Sequence, residues 1–129
     1  MVIDESKSLN VFPIQIAVVG KDAIIEGEIV RTKAPRTVER ILSKLPVTGK
    51  ASKRGSQLNF PIGIKLGKEK STKNAKKGEI GYSPLADAIC IFIEDMEPYG
   101  EVNIIGQITS DFDALMNTRL LVTLKISQK

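Results

Sequence analysis

The stretch that decides the fold consists of two β-rich segments, GEIGYSPLADAICIFI at residues 78–93 and VNIIGQITSDFDALMN at residues 102–117. The first segment holds a short strand pattern, a Ser-Pro interruption and a continuous apolar run, which is typical of a buried strand. The second places a glycine between two β-rich triplets and then Ser110, which is followed three residues later by Asp113. This spacing predicts a capping box that opens a short helix.

The chain before this stretch predicts a hairpin and a helix. Apolar alternation indicates two strands over residues 13–31, joined by a tight turn at residues 20–22. Pro35 then suits the first position of a helix, and Pro46 ends it. The apolar residues between these prolines fall on one helical face: Val38, Ile41, Leu42 and Leu45.

The remaining segments complete a count of about eight short strands and two helices. Residues 48–54 and 57–64 read as strands on either side of a Gly-Ser turn, and residues 120–126 alternate as a last strand. Residues 67–77 form a lysine-rich loop, and residues 94–101 form an acidic connection. Eight strands can close into a barrel that is filled by side chains. The sequence therefore predicts a mainly β, closed eight-stranded barrel within one domain over residues 1–129.

The order of these segments resembles that of the cyclophilins, and it is similar to that of small cyclophilin-like proteins of archaea and bacteria. The residues that carry the resemblance are APRTVERILSKLP, GEIGYSPLADAICIF and VNIIGQITSDFDALM. The resemblance implies a closed barrel whose ends are capped by the two short helices. It also implies a groove on the barrel face that binds peptides containing proline.

Matching positions then imply the site residues. Arg54 matches the catalytic arginine that contacts the peptide backbone around the X–Pro bond. The residues expected to bind a peptide or other ligand are Gln57, Asn59, Phe60, Tyr82 and Pro84, with Tyr82 and Pro84 at the groove rim. The positions that hold a Trp and a His in cyclophilins are Glu97 and Val102 here. We therefore expect prolyl isomerase activity to be weak or absent.

The absence of histidine excludes several kinds of catalytic site and metal site. The chain has no histidine and a single cysteine, Cys90, which excludes Ser-His-Asp and Cys-His catalysis and the usual zinc sites. We accordingly expect no metal and no cofactor. Prolyl isomerisation itself needs no acid or base, because an enzyme can lower the barrier of about 18–20 kcal/mol by binding the twisted amide better than the planar one.

A lysine cluster leaves two further functions open. Its members are Lys65, Lys68, Lys70, Lys73, Lys76 and Lys77. These lysines could contact phosphates of a nucleic acid, although nucleic-acid proteins usually add arginines or stacking aromatics. Together with Arg54, they could instead bind an anionic or other small ligand without catalysis. The plainest interpretation is a solvated loop.

The amino-acid composition indicates the class of protein and its expected location in the cell. The 129 residues are 42% hydrophobic and 26% charged, with a net charge of +4, which indicates a soluble globular domain with only a mild basic bias. No apolar run approaches the roughly 18 residues of a membrane-spanning helix. Residues 1–11 read as a flexible segment and not as a signal peptide. We expect a cytoplasmic protein that does not act at membranes, and the oligomeric state stays open.

Overall fold

The computed structural model describes residues 10–118 and 120–129, in which eight strands, two α-helices and a short 3₁₀ helix at Arg31–Lys33 are described. The elements are β1 (Val11–Val18), β2 (Ala23–Val30), α1 (Pro35–Lys44), β3 (Val47–Arg54), β4 (Gln57–Pro61), β5 (Glu79–Ser83), β6 (Ala88–Phe92), β7 (Asn103–Ile108), α2 (Asp113–Met116) and β8 (Leu121–Gln128). The strands close into a barrel in the order β1-β2-β7-β5-β6-β4-β3-β8. The predicted mainly β, closed eight-stranded barrel with two helices is confirmed.

Alternation along the strands fills the interior. In β1, Ile14, Ile16 and Val18 are buried, and the first two pair with the buried Gly27 and Ile25 of β2 across the antiparallel register. The barrel closes tightly where β2 pairs with β7. A Cβ atom at Gly106 would lie 1.9 Å from the carbonyl oxygen of Glu28, so only glycine fits at this contact.

The two helices cover apolar positions of the same core. Pro35 is the first residue of α1, as predicted, and α1 buries Thr37, Val38 and Ile41. The short α2 buries Leu115, which packs in the barrel core with the α1 residues. No helix in the described part of the chain is long and apolar enough to cross a membrane.

The predicted capping box at Ser110 is wrong. The N-cap residue of α2 is Phe112, which makes no side-chain cap. Ser110 instead accepts a hydrogen bond on its hydroxyl oxygen from the backbone N–H of Glu26 at 2.9 Å. Its own N–H donates to the carbonyl oxygen of Glu26. Ser110 is therefore hydrogen-bonded to β2 at the end of the β2–β7 pairing, and it does not cap the helix that follows.

Two predicted boundaries shift. β4 ends at Pro61 and not at residue 64, because the chain then turns towards Asp87, whose carboxylate accepts the N–H groups of Ile64 and Lys65. The flexible segment predicted over residues 1–11 falls mainly on residues 1–9, which lie outside the described residues. Val11 already pairs with β2.

Candidate functional site

A second, smaller apolar cluster lies on the outer face of the barrel. It consists of Ala75, Cys90, Phe92 and Val102, with Met96 and Ile104 packed against them. Isolated β-bridges join Thr72 to Val102 and Ala75 to Met96. The lysine-rich and acidic connections therefore lie side by side over this face, which sequence patterning did not predict because neither connection has a hydrophobic period.

These two connections and the β5–β6 turn enclose an open groove of about 430 Å³. We call it the outer-face groove, and its lining residues are Lys68, Lys73, Pro84, Leu85, Glu97, Pro98, Gly100 and Glu101. The apolar part of its lining is Pro84, Leu85 and Pro98, and Leu85 is open to solvent, with 81% of its surface exposed. The lysines and the glutamates form a charged rim.

The rim is only partly neutralised. Lys68 Nζ lies 2.7 Å from Glu101 Oε2, and the Ser71 hydroxyl donates to the other carboxylate oxygen at 3.0 Å. The hydrogen bonds from Lys68 and Ser71 lower the pKa of Glu101. Lys73 and Glu97 make no hydrogen bond or ion pair with any residue that the structure describes. One cation and one anion are thus available to a ligand in the groove.

Arg54 lies beside the groove but does not line it. Its guanidinium carbon lies 4.3 Å from the centroid of the Tyr99 ring, a cation–π contact. The N–H of Tyr99 donates to Gln57 Oε1 at 3.4 Å, which ties the segment around Pro98 to β4. The catalytic role predicted for Arg54 stays a prediction.

Gln57 and Asn59 are engaged with each other and with Cys90. Gln57 Nε2 donates to Asn59 Oδ1 at 2.7 Å, and the Cys90 thiol donates to the same oxygen at 3.2 Å. Burial raises the pKa of Cys90 to about 12, against the smaller opposing effect of its hydrogen bond from Gln57. Cys90 is buried, and with this raised pKa it is protonated at neutral pH.

Phe60 and Tyr82 lie in the barrel interior and not at the groove. Their exposed fractions are 2% and 0%. Tyr82 was expected at the rim, but β5 continues to Ser83, and strand alternation therefore turns Tyr82 inward beside Ile80. Burial raises the pKa of Tyr82 to about 12. Of the residues predicted to contact a peptide, Pro84 lines the groove.

Asp87 supports the β5–β6 turn, which carries the groove residues Pro84 and Leu85. Its Oδ1 accepts the Tyr82 hydroxyl at 2.7 Å and the N–H groups of Ile64 and Lys65, both at 3.0 Å. Burial opposes ionisation of Asp87, but these hydrogen bonds outweigh it and lower the pKa of the carboxyl. Sequence reasoning missed this residue, because a single Asp before a buried strand carries no distinctive signal.

Glu69 holds the lysine-rich loop against α1. Its carboxylate accepts the N–H of Arg36 at 3.0 Å and both the N–H and the hydroxyl of Thr37 at 2.9 Å. The buried Asn103 amide donates to Thr37 and Gly67 and accepts the N–H of Glu69. Burial raises the pKa of Glu69, but the hydrogen bonds to α1 outweigh burial and lower it overall. Glu69 thereby caps a helix whose own N-cap residue provides no side-chain bond.

The lysines of the predicted basic loop do not converge. Lys68 pairs with Glu101, Lys70 donates to the carbonyl oxygen of Thr32 at 3.1 Å, and Lys77 lies 5.9 Å from the Phe112 ring centroid. Lys65 and Lys76 are exposed. Among the residues that the structure describes, no group of three His, Cys, Asp or Glu side chains is placed to hold a metal ion.

The fold and the sequence can now be compared with known proteins. The cyclophilin-like family matches residues 13–126. The chain belongs to the cyclophilin-like family. The resemblance predicted from the sequence is thereby confirmed, whereas isomerase activity and peptide binding are not established by membership.

Solved structures agree with this assignment. This cyclophilin-like chain is similar to the hypothetical protein AF2241 from Archaeoglobus fulgidus, with a TM-score of 0.76, 23% identity, and coverage of 92% of this chain and 95% of that one. It is also similar to McbB, solved in complex with tryptophan, with a TM-score of 0.75 and 15% identity over 90% of this chain and 44% of that one. At these identities the likeness shows the fold alone. A comparison with curated proteins finds no significant match.

Proposed function

We propose that this cyclophilin-like protein binds short peptide segments, which present a proline or another apolar side chain, in the outer-face groove. The observation that carries the proposal is the exposed Leu85, which together with Pro84 and Pro98 lines a concave site of about 430 Å³. Ligand pockets commonly combine an apolar floor with a few polar groups and hold about 300–1,000 Å³. The groove has this composition and size.

The charged rim suits a peptide backbone. Lys73 can donate to a peptide carbonyl, and Glu97 can accept from a backbone N–H, because neither side chain is hydrogen-bonded or ion-paired within the described residues. Burying an apolar peptide side chain on Leu85 would stabilise the complex by about 25 cal/mol for each Å² removed from water. Peptide affinity would therefore depend on Leu85 more than on any single rim charge.

We propose that this binding produces little or no isomerisation. Rate acceleration requires a group that stabilises the twisted amide more than the planar one. Among the described residues, no arginine lines the groove, and Arg54 is stacked on Tyr99. Val102, at the position of the family histidine, is buried in the outer cluster.

A second candidate is a small amphipathic ligand in the same groove. It is favoured by McbB, a structural neighbour that was solved with tryptophan. Lys73 and Glu97 could bind the carboxylate and ammonium groups of a free amino acid, while Leu85 and the prolines contact its side chain. The same volume suits either ligand, so experiment must distinguish them.

The nucleic-acid alternative has less support. Three lysines of the basic loop already contact protein groups, and the loop does not present a stripe of cations with stacking aromatics between them. The single, buried Cys90 is compatible with a reducing compartment, and on that ground we propose a cytoplasmic location.

An NMR titration of labelled protein tests the proposal. Short X–Pro peptides and free tryptophan are added separately, and exchange spectroscopy follows the cis and trans peptide signals. We expect saturable shifts at residues 84–85 and 97–101 with peptide, and no faster cis–trans exchange. Leu85→Asp should weaken peptide binding by about tenfold or more. Leu120→Asp is the matched control, because Leu120 is similarly exposed, at 77%, and does not line the groove.

The other outcomes are equally decisive. Shifts at these residues with tryptophan but not with peptide would support the small-ligand candidate. Accelerated exchange that is lost on Arg54→Ala would establish an isomerase and overturn the proposed lack of catalysis. The absence of shifts with either compound at millimolar concentration would reject the groove as the binding site.

A further inference from the structure

A second exposed apolar region lies away from the groove, where β1 turns into β2 and where β8 begins. Its members are Val19, Ile24, Leu120 and Leu121, which we call the strand-end patch, with exposed fractions of 52%, 63%, 77% and 55%. Val19 and Leu121 also line a shallow cavity of about 210 Å³ together with Lys21. Exposed apolar side chains that lie close together commonly mark an interaction site, because burying them against a partner favours association.

The strand register places Ile24 in a row with a lysine. Ile24 pairs with Ala17 on β1, and Ala17 pairs with Lys125 on β8. The next residues along these strands, Val18 and Leu124, are buried in the barrel. Since side chains alternate along a strand, Ile24 and Lys125 lie on the same outer surface.

The adjacent row repeats the arrangement. The N–H of Val19 donates to the carbonyl oxygen of Thr123 at 3.0 Å, and Thr123 pairs with Lys50 on β3. Leu121, two residues before Thr123, lies on the same outer face. Three exposed lysines, Lys21, Lys50 and Lys125, are therefore adjacent to the patch.

The patch has an excess of positive charge. Lys21, Lys50 and Lys125 form no hydrogen bond or ion pair through their side chains with any described residue. Asp22 contributes one carboxylate in the β1–β2 turn, and Glu26, further along β2, is already paired with Lys129. The apolar side chains thus have uncompensated cations around them.

We propose that the strand-end patch docks a protein partner through a segment that carries aspartate or glutamate side chains around one or two apolar anchors. Apolar anchors at the centre of an interface supply most of the affinity, and rim charges steer association and select the partner. Charge complementarity defines this partner as acidic. The surface differs from the outer-face groove, so the inference is independent of peptide binding there.

Two other occupants fit less well. In a symmetric dimer the same patch meets itself, which would bring the lysines of one copy onto those of the other. An anionic membrane is usually recognised by clusters of about 4–8 lysines or arginines, with aromatic side chains at the interface. Among the residues that the structure describes, the patch has three adjacent lysines and no aromatic side chain.

The experiment uses a synthetic peptide of alternating acidic and apolar residues, with glutamate and aspartate alternating with leucine and phenylalanine. It is titrated into the labelled 129-residue chain at low ionic strength. We expect saturable shifts at residues 19–24 and 121–125 that weaken with added salt. The double variant Lys50→Glu with Lys125→Glu should reduce affinity by about tenfold or more. Lys33→Glu, at an exposed lysine outside the patch, should leave the affinity unchanged.

Four results would overturn the proposal. The first is no saturable shift at millimolar peptide, and the second is equal weakening by Lys33→Glu, which would indicate unspecific charge attraction. The third is self-association in sedimentation that is abolished by Leu121→Asp, which would assign the patch to a second copy. The fourth is binding to phosphatidylserine vesicles without binding to the peptide, which would assign the patch to a lipid surface.

Discussion

The outer-face groove and the strand-end patch both expose large apolar side chains, but they are built differently. Leu85 and Tyr99 are exposed at or beside the groove, whereas Val19, Ile24, Leu120 and Leu121 are exposed at the patch. The groove is enclosed by connections, and Glu69, Asp87 and Glu101 hold those connections through side-chain hydrogen bonds. In the patch, Ile24 and Leu121 lie on strands, and Val19 and Leu120 directly flank strand ends, so the barrel register positions it.

The difference has a physical consequence. A surface positioned by the barrel register changes mainly when the barrel changes, because Ile24 is paired with β1 and Leu121 with β3. A surface built on connections can be lost when one anchoring carboxylate is removed while the barrel persists. Substitutions can therefore separate the two regions.

The largest effect is expected where both regions depend on barrel closure. In Gly106→Ala the new Cβ would lie 1.9 Å from the Glu28 carbonyl oxygen and 2.9 Å from its carbon. We expect a loss of about 4 kcal/mol or more in the free energy of unfolding, measured by urea denaturation. Gly67→Ala is the control, because no atom lies within 4 Å of its added Cβ. Equal stability of the two variants would refute the tight β2–β7 contact.

The second-largest effect is a loss of stability that should loosen the outer-face groove and leave the strand-end patch unchanged. Asp87→Asn keeps the side-chain shape, and asparagine tolerates the φ of 52° found at this position. It removes the charge that accepts three hydrogen bonds, so we expect a loss of about 2 kcal/mol. Amide exchange should increase around residues 62–66 and 84–87 and stay unchanged in β1 and β8. Uniform loosening of both regions would contradict this separation.

Glu69 provides a smaller effect and a pH signature. Glu69→Ala removes the cap of α1 and should cost about 1–2 kcal/mol. The pKa values of Glu69 and Asp87 are lowered from 4.5 and 3.8, so their stabilisation is present above those values and is lost as the pH falls through the lower folded-state values. Urea denaturation over a pH series should show this acid loss. A wild-type profile in Glu69→Ala would refute the contribution of Glu69.

One aspartate substitution in each region tests whether the two regions bind their peptides independently. Leu85→Asp should weaken X–Pro peptide binding by about tenfold, which is 1.4 kcal/mol, and leave acidic-peptide binding unchanged. Leu121→Asp should do the reverse. Titration calorimetry of both variants with both peptides gives the four affinities. Loss of both activities in one variant would show that the regions are coupled.

The last prediction concerns the chemical reactivity of Cys90, which lies in the outer apolar cluster. Its burial and its pKa of about 12 predict that native protein reacts with a thiol reagent at neutral pH far more slowly than unfolded protein. A colorimetric thiol assay with and without denaturant measures the two rates. Rapid reaction of the native thiol would mean that the outer cluster opens readily.

Sequence reasoning succeeded where local pattern and tertiary structure agree. The apolar alternation over residues 13–31 predicted the hairpin of β1 and β2, and Pro35 predicted the start of α1. It failed at Ser110 and Tyr82, because distant groups decided both positions. The Ser110 hydroxyl oxygen accepts a hydrogen bond from the N–H of Glu26 on β2. The Tyr82 side chain lies in the core, where its hydroxyl donates a hydrogen bond to Asp87.

The candidate site was predicted less completely than the fold. Pro84, Lys68 and Lys73 were named and line the groove, whereas Leu85, Pro98 and Gly100 were not. Glu69 and Asp87 gave no signal, since a carboxylate in a polar connection has the same local pattern whether it is solvated or bonded to distant N–H groups. The bridges at Thr72 and Ala75 were equally invisible.

The sequence by itself determined the strands, the helix at Pro35 and the family, because hydrophobic period and turn residues act over a few neighbouring positions. It also excluded histidine chemistry, since no histidine is present. Only the tertiary structure decided which connections enclose a groove and which lysines surround the apolar patch. Those arrangements depend on strand order and on hydrogen bonds between residues far apart in the chain, such as Glu69 with Thr37, and no local pattern encodes them.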